Sequence, residues 1–300
     1  MKIVIVTGSC GLVGSESVSF FSKKGFRVIG IDNNSRKFFF GKDGDISKIK
    51  NKLLKEIKNY NHYSTDIKDF NLLEKIFLKH KKNIKLIIHC AAQPSHDWAK
   101  DRPIVDFKIN AQGTLNLLEL TKKYCKQSPF IFMSTNKVYG DNPNKLKLNK
   151  KKTRYELSKD HKFFKGISEI MSVDNCVHSL FGVSKTSSDF LVQEYGKNIG
   201  LKTIIFRAGC ITGANHSSAE YHGFLSYLVK KSLRDKSYKV IGYKGLQVRD
   251  NIHSNDLVKC FWHYYKNPKT KGEVYNIGGS RFSNCSVEEA LRLVENIKNI

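Results

Sequence analysis

Short apolar runs and longer stretches of helical periodicity alternate along this chain. Short runs bounded by turn residues are typical of buried strands, and the amphipathic stretches between them are typical of helices that cover a parallel sheet. The alternation therefore predicts repeated βαβ units and an α/β fold with a doubly wound parallel sheet. The predicted strands cover residues 2–7, 27–32, 86–91, 130–134 and 203–208, and the predicted helices begin near Gly11, Phe70, Asn110, Phe181 and Asn255.

The same pattern divides the chain into a large domain and a smaller lobe. Residues 1–209 form the predicted large domain, with 240–268 packing back onto it. Residues 210–239 and 269–300 form the predicted substrate lobe. This lobe is discontinuous in sequence, and we expect it to be shortened because only one amphipathic segment lies near the end of the chain. The polar, Lys-rich stretch 141–165 interrupts the alternation and is expected to form a surface excursion.

The charge balance bears on the class of partner. The chain has 52 Lys and Arg against 27 Asp and Glu, which gives a formal net charge of +25. Clustered Arg would indicate nucleic-acid recognition, but most of these basic residues are Lys and they are spread over nearly every predicted helix. We therefore expect a solvated basic surface and no nucleic-acid partner, with nucleic-acid binding as the weaker alternative. The positive field also favours an anionic small molecule as ligand.

Cysteine usage bears on the cellular compartment. The seven Cys residues are an odd number without a CxxC pair or a metal-ligand spacing, and several lie in apolar runs. Such cysteines are typical of a protein kept reduced in the cytoplasm, and they predict no metal site. No apolar run approaches the length of a membrane-spanning helix, so no membrane partner is expected.

A glycine-rich turn follows the first predicted strand and opens the first helix. Its sequence is TGSCGLVG, with glycines at positions 8, 11 and 14. Residues without side chains let backbone N–H groups approach a pyrophosphate, and the helix N-terminus adds a partial positive charge. Asp32 ends the second strand at a suitable spacing to accept the ribose hydroxyls of a bound dinucleotide. An acid at this position favours NAD over NADP, although Arg36 nearby argues the other way.

Two other segments adjoin this predicted nucleotide site. Asp66 follows a short strand-like segment, and it either hydrogen-bonds the adenine amine or caps the helix that begins near Phe70. Ala91, Ala92 and Gln93 end another strand. Small residues there either let a cofactor lie against the backbone or serve close packing of a helix. The sequence alone leaves these alternatives open.

Eight motifs, in order along almost the whole chain, carry a resemblance to a known family. They are TGSCGLVG, IDNNSRK, HCAAQ, FKINAQGTLNLLE, MSTNKVYGD, FGVSKTSSD, GLQVRDNIHSNDLV and VYNIGG. The chain resembles the sugar-nucleotide epimerase/dehydratase family of extended short-chain dehydrogenases/reductases. The resemblance implies a Rossmann-type domain that holds NAD⁺ tightly. The cofactor takes a hydride from a carbon of a nucleotide-linked sugar and returns it to the opposite face, through a keto intermediate. The resemblance is greatest with the branch that inverts C2 of a CDP-linked dideoxyhexose, and it leaves a homodimer open.

The resemblance also implies roles for individual residues. Thr135 would hydrogen-bond the reacting sugar oxygen, although a Thr that ends a strand also serves as a turn former. Arg249 would bind the substrate diphosphate with its guanidinium fork. Alternatively, Asp250 or Asp256 holds Arg249 in a structural ion pair. Lys185 would bind the nicotinamide ribose. The implied cofactor-binding positions are Gly8, Gly11, Leu12, Val13, Gly14, Asp32, Asn33, Ser35, Arg36, Asp66, Ile67, Ala91, Ala92, Gln93, Asn110 and Lys185.

The chain departs from the family at one catalytic position. The family carries a Tyr-x-x-x-Lys pair on one helix, but here the stretch is FGVSK, with Phe181 in place of the Tyr and Lys185 retained. A phenyl ring cannot exchange a proton. His96 is the first candidate to replace the Tyr and His178 the second, because a His has a pKa near neutrality. Tyr139 is a distant third, and for either His an ordinary loop histidine is the plain alternative.

Phe181 leaves three hypotheses about activity. Another residue acts as the acid/base, or the protein performs a different reaction on the same cofactor and sugar nucleotide, or it is a non-catalytic binding protein. Substrate-binding candidates follow the strand that ends near Arg207, because ligands of open α/β sheets bind beyond the carboxyl ends of the strands. They are Asn215, His216 and His222, with Gly223 beside them.

Overall fold

The computed structural model describes residues 1–216, 223–234, 237–269 and 271–298. Within these residues the strands are β1 (Ile3–Thr7), β2 (Arg27–Ile31), β3 (Tyr60–Tyr63), β4 (Ile84–His89), β5 (Phe130–Thr135), β6 (Asn149–Lys150), β7 (Tyr155–Glu156), β8 (Thr203–Ala208), β9 (Cys210–Thr212), β10 (Val248–Arg249), β11 (Asn251–His253), β12 (Glu273–Ile277) and β13 (Cys285–Ser286). The α-helices are α1 (Leu12–Lys23), α2 (Ser35–Phe40), α3 (Ser47–Glu56), α4 (Phe70–His80), α5 (His96–Asp101), α6 (Pro103–Phe107), α7 (Gly113–Cys125), α8 (Leu180–Lys197), α9 (Phe224–Ser232), α10 (Ser254–Lys266) and α11 (Val287–Lys298).

Seven strands form one parallel sheet in the order β12-β8-β5-β4-β1-β2-β3. Strand β1 has the sequence IVIVT and all of it is buried, as expected of a strand covered on both faces. Apolar residues of α1, α3 and α10 pack on one face, and those of α4, α7 and α8 pack on the other. The chain order reverses between β1 and β4, and sheets of this type bind ligands beyond the carboxyl ends of their strands at such a switch point.

The predicted fold, an α/β protein with a doubly wound parallel sheet, is confirmed. All five predicted strands are present, and their ends are shifted by two residues or fewer. The apolar pattern misses β3 and β12. Strand β3 has the sequence YNHY, which contains no apolar run, and β12 lies at the edge of the sheet, where it is only partly buried.

The position of β12 corrects one part of the domain division. Residues 269–300 were assigned to the smaller lobe, but β12 pairs with β8 and completes the central sheet. Helix α10 packs against α1, so this part of 240–268 does lie on the large domain. The rest of the division stays a prediction.

The polar stretch after β5 is longer than expected and is anchored to the rest of the molecule. We call residues 141–178 the excursion. It carries the hairpin of β6 and β7, and its Phe163 and Met171 are buried against Val138 and Tyr139. The excursion is therefore a packed wall of the molecule rather than a loose surface loop.

Side chains near the C-terminal end of the described residues hold the excursion in place. Arg154 forms an ion pair of 2.5 Å with Glu289 in α11. Arg281 forms another, of 2.6 Å, with Glu156 in β7. Asn276 Nδ2, in β12, donates to a backbone carbonyl of the excursion at 2.8 Å. These contacts join segments that are more than a hundred residues apart in sequence.

Candidate functional site

One large cavity, with a volume of about 1840 Å³, lies beyond the carboxyl ends of the central strands. It extends from the glycine turn, past Thr135 and Lys185, to the excursion. Gln93, Asn110 and His178 do not line it, and His222 lies outside the described residues. The candidates from the sequence that do line it are Gly8, Gly11, Leu12, Val13, Gly14, Asp32, Asn33, Ser35, Arg36, Asp66, Ile67, Ala91, Ala92, His96, Thr135, Lys185, Asn215, His216 and Arg249.

The glycine turn closes through backbone contacts that leave no room for side chains. Gly8 has a φ of +66°, and a Cβ there would lie 2.8 Å from the backbone N of Ala91. A Cβ on Gly14 would lie 2.0 Å from the carbonyl O of Gly8. Helix α1 begins at Leu12 without a side-chain cap. Its first N–H groups have no partner within the helix, so the turn is a backbone cradle that fits a diphosphate.

The Asp32 carboxylate borders the cavity at the end of β2. Its Oδ2 accepts a hydrogen bond from Cys10 N at 3.0 Å, and its Oδ1 accepts one from Asn34 N at 2.9 Å. Burial raises the pKa of Asp32, while these two backbone donors lower it. Two backbone donors thus fix the carboxylate beside the glycine turn, where it can accept further hydrogen bonds from ribose hydroxyls.

Asp66 lies next to the segment that follows Asp32. Asn33 Nδ2 donates to Asp66 Oδ2 at 3.1 Å, and the hydroxyl of Ser35 donates to Asn33 Oδ1 at 2.7 Å. Asp66 does not cap α4. That role falls to Asp69, whose carboxylate accepts from Leu72 N. The capping alternative for Asp66 is therefore wrong, and its carboxylate remains at the edge of the cavity.

Gln93 and Asn110 lie behind the cavity in a buried hydrogen-bond network. Asn110 Oδ1 accepts from Gln93 N at 2.9 Å, and Asn110 Nδ2 donates to Ser184 Oγ in α8 at 2.9 Å. Asp106 accepts from Gln93 Nε2 at 2.7 Å. Asn110 is part of a π-helical turn, Lys108–Gln112, between α6 and α7. The network ties the loop after β4 to α8, so these residues support the site without lining it.

Lys185 is buried on α8 and lines the cavity. Its Nζ donates to Met133 O at 2.8 Å and lies 4.2 Å from the centre of the Phe132 ring. Burial lowers the pKa of Lys185 to about 8, although the carboxylates of Asp189 and Asp106 oppose the shift. A buried ammonium next to a cavity is suited to donating hydrogen bonds to a ligand hydroxyl.

His96 approaches the position where the family carries its Tyr. Its Nδ1 lies 2.7 Å from Ser179 Oγ, and its ring packs edge to face on Phe181 with the centroids 4.7 Å apart. Nε2 makes no hydrogen bond to a described residue. Burial and the nearby Lys137 ammonium lower the pKa of His96. The ring therefore stays neutral near pH 7 and lines the same cavity as Thr135.

The other two acid/base candidates, His178 and Tyr139, have different surroundings from His96. His178 does not line the cavity, and its ring nitrogens lie 3.3 Å from Lys137 O and 2.9 Å from Val173 O. Tyr139 does border the cavity, but its hydroxyl donates to Asn276 and accepts from Arg207. Of the three candidates, His96 is the one that lines the cavity with a ring nitrogen that makes no hydrogen bond to a described residue.

Asn215 and His216, which follow β9, contact side chains of α1 and α9. Asn215 Nδ2 donates to Ser15 Oγ in α1 at 3.2 Å, and His216 Nδ1 lies 3.0 Å from Ser226 Oγ in α9. Burial and the Arg36 guanidinium lower the pKa of His216 to about 4. Both residues line the cavity, and a role for them in binding the sugar stays a prediction.

Arg249 lines the cavity without a carboxylate partner among the described residues. Its guanidinium donates to the carbonyl O of Val248 at 3.0 Å. Asp250 accepts from Gly279 N, and Asp256 pairs with Lys259. The alternative of a structural ion pair with either Asp is therefore wrong. The ammonium of Lys137 lies close enough to Arg249 for the two charges to interact.

The sequence analysis missed two residues at this site, Ser179 and Lys137. Ser179 caps α8 by accepting from Gly182 N, and a Ser just before a helical stretch is a recognisable capping signal. Its contact with His96 joins residues 83 positions apart, and no local pattern predicts it. Lys137 stood inside a motif that had already been singled out, two positions after Thr135.

The parallel sheet, the glycine cradle and the Asp32 carboxylate define an α/β protein of the dinucleotide-binding class. A model of the NAD dependent epimerase/dehydratase family matches residues 4–278, and the chain belongs to this family. Its cofactor is NAD. The backbone cradle and the acid at the end of β2 fit that dinucleotide.

Two curated relatives and one solved structure place the chain within the family. It is 32% identical to the CDP-paratose 2-epimerase of Salmonella typhi, over 100% of this chain and 85% of that protein. It is 28% identical to the dTDP-glucose 4,6-dehydratase of Salmonella typhimurium, over 93% of this chain and 72% of that protein. The UDP-glucose 4-epimerase of Thermus thermophilus, solved with NAD, superimposes with a TM-score of 0.74 at 22% identity. That superposition covers 99% of this chain and 83% of the other, and it shows a shared fold.

Proposed function

We propose that this protein is an NAD-dependent epimerase of a nucleotide-linked sugar, and that its substrate is a CDP-linked deoxysugar inverted at C2. The observation that carries the proposal is one continuous cavity that joins the glycine turn to Thr135, Lys185 and His96. The full-length similarity to a CDP-paratose 2-epimerase supports this choice of sugar and carbon.

In the proposed mechanism the bound dinucleotide supplies the acceptor and donor of a hydride. The glycine turn holds its diphosphate, Asp32 its adenosine ribose and Lys185 its nicotinamide ribose. The hydroxyl of Thr135 hydrogen-bonds the reacting oxygen of the sugar. Inversion requires that the keto sugar present its other face before the hydride returns, and the large cavity leaves room for that rotation.

His96 transfers the proton in this proposal. Its Nε2 removes a proton from the sugar hydroxyl as the hydride leaves, and it returns that proton when the alcohol is restored. In this proposal Nδ1 carries the ring proton, and its hydrogen bond to Ser179 Oγ orients the ring. Because the lowered pKa of His96 keeps the ring neutral, it can act as a base near pH 7.

Purified protein that retains NAD tests the function directly. The protein is incubated in D₂O with CDP-, UDP- and dTDP-linked hexoses, and the sugar ring protons are followed by NMR. The expected result is a C2 epimer of a CDP-linked sugar without deuterium at the inverted carbon, because the hydride returns within the site. If no epimer forms from any of these compounds, the epimerase proposal is wrong.

Two alternatives predict other outcomes of the same experiment. A dehydratase would release water and produce a keto-deoxy sugar. A non-catalytic binding protein, which Phe181 favours, would bind a sugar nucleotide and leave it unchanged.

The structure also bears on partners and compartment. Helices α6 and α7 pack against α8, and the three helices expose apolar residues, among them Ile104, Leu115, Val183 and Phe190. We propose that this surface forms a homodimer, which sedimentation at micromolar concentration would test.

All seven cysteines are free, which supports a reducing compartment such as the cytoplasm. Among the described residues, none of the helices has both the length and the apolarity to span a membrane.

A further inference from the structure

Lys137 is a cation that lines the cavity directly beside Thr135. It belongs to a short 3₁₀ turn, Asn136–Tyr139, that follows β5. Its backbone N donates to Thr135 Oγ1 at 3.2 Å, and its backbone O accepts from Gly140 N. These bonds fix the main chain of Lys137, so its ammonium on a flexible four-carbon stem stays within reach of any sugar held by Thr135.

The Lys137 ammonium and the Arg249 guanidinium face the cavity without a counter-charge. Neither forms an ion pair with a carboxylate in the part of the chain that the structure describes. By contrast, Arg154 and Arg281, farther along the same cavity, are both paired with Glu residues. Partial desolvation within the cavity and the neighbouring Arg249 lower the pKa of Lys137. Both side chains are exposed to solvent, and an anion bound between them would accept charge-assisted hydrogen bonds from both.

We propose that Lys137 is a specificity-determining residue that binds the sugar-linked phosphate from the Thr135 side of the cavity, opposite Arg249. This inference rests on the proposed function, because it assumes a nucleoside diphosphate-sugar as ligand. It goes further by explaining which carbon reacts. C2 is bonded to the anomeric carbon that carries the phosphate, whereas C4 lies across the ring from it. A phosphate held next to Thr135 therefore brings C2, and not C4, to the reacting position.

Binding of CDP to the NAD-loaded protein tests the phosphate contact without any need for turnover. Calorimetry on Lys137→Met should show CDP binding weakened by about 10- to 100-fold, because a charge-assisted hydrogen bond is lost. Cytidine, which has no phosphate, should bind Lys137→Met and the unchanged protein equally well. Lys137→Arg should recover much of the affinity. Lys151→Met removes an exposed charge outside the cavity and is the matched control, with CDP affinity unchanged.

Turnover then tests the choice of carbon. With a CDP-linked substrate, Lys137→Met should raise KM by about tenfold or more and change kcat less. Unchanged CDP affinity in Lys137→Met would overturn the inference, and so would a wild-type product inverted at C4. If the unchanged protein forms no epimer but CDP binding still depends on Lys137, the proposed function fails while the phosphate contact stands.

Discussion

At the nucleotide end of the cavity the site is shaped by backbone atoms, whereas at its catalytic end it is shaped by side chains from distant segments. The glycine turn leaves a Cβ on Gly14 only 2.0 Å from a carbonyl O. The catalytic end brings together Thr135 from β5, Lys185 from α8 and His96 from α5. At Gly8 and Gly14 this part of the site tolerates no side chain, because a Cβ at either position meets main-chain atoms.

A site built from side chains can exchange one group for another. Phe181 removes the phenol that the family places four residues before its Lys, but the His96 ring packs directly against the Phe181 ring. A proton-transfer group can therefore reach the same region from a different helix. Cofactor binding and the choice of acid/base are therefore separate properties of this fold.

The largest expected effect comes from the catalytic end. His96→Ala should lower kcat by about 10²- to 10⁴-fold, the usual contribution of a general base, while NAD retention is unchanged. His178→Ala is the control, and its turnover should stay close to that of the unchanged protein because His178 lies outside the cavity. Steady-state kinetics with bound-cofactor absorbance measures both quantities.

A double variant sharpens this test. Phe181→Tyr in the His96→Ala background should recover at least about tenfold of the lost activity, since the new phenol lies on the same helical face as Lys185. Equal activity of His96→Ala and the unchanged protein would show that another group moves the proton.

A smaller effect is expected at the nucleotide end. Gly14→Ala should weaken NAD binding by at least about 100-fold, or about 2.7 kcal/mol, because the methyl group meets the Gly8 carbonyl. Gly25→Ala is the control, since a Cβ there has open space and only its φ of +83° is unfavourable. It should cost about 1 kcal/mol of unfolding free energy and leave NAD affinity unchanged. Equal NAD affinity in both variants would contradict the backbone cradle.

The smallest effect concerns pH. The burial of His96 lowers its pKa, so the base form persists to below pH 6.5, and kcat/KM should fall about tenfold for each unit below that pKa. Lys185, with a pKa of about 8, is charged below that value and neutral above it, so activity should also decline above about pH 8. A pH profile of His96→Gln should lack the acidic limb. If that limb persists in the variant, His96 is not its origin.

The sequence predicts the nucleotide end better than the catalytic end, for a physical reason. The glycine spacing and Asp32 act through local geometry, since a turn and the end of the next strand are fixed by short stretches of chain. The same is true of the sheet, in which continuous apolar runs mark the strands buried on both faces. Strands β3 and β12 lack such apolar runs because they lie at the two edges of the sheet.

The catalytic end depends on contacts that no local pattern encodes. The sequence could name His96 and His178 as candidates, but the choice between them rests on the contact of His96 with Ser179 and on which of the two rings lines the cavity. The placement of Asn215 and His216 likewise depends on where the chain turns after β9. The general location beyond β8 was predictable, while the neighbours in α1 and α9 were not.

The way in which the excursion is attached affects how substrate specificity can evolve in this fold. Its residues form the outer side of the cavity and are held to α11, β12 and Arg281 by ion pairs and hydrogen bonds, without entering the central sheet. Mutations there reshape the space around a ligand and leave the strand ladder intact. A lineage that shares this sheet can therefore acquire specificity for a new sugar through a few changes in one outer segment, and keep its inherited dinucleotide throughout.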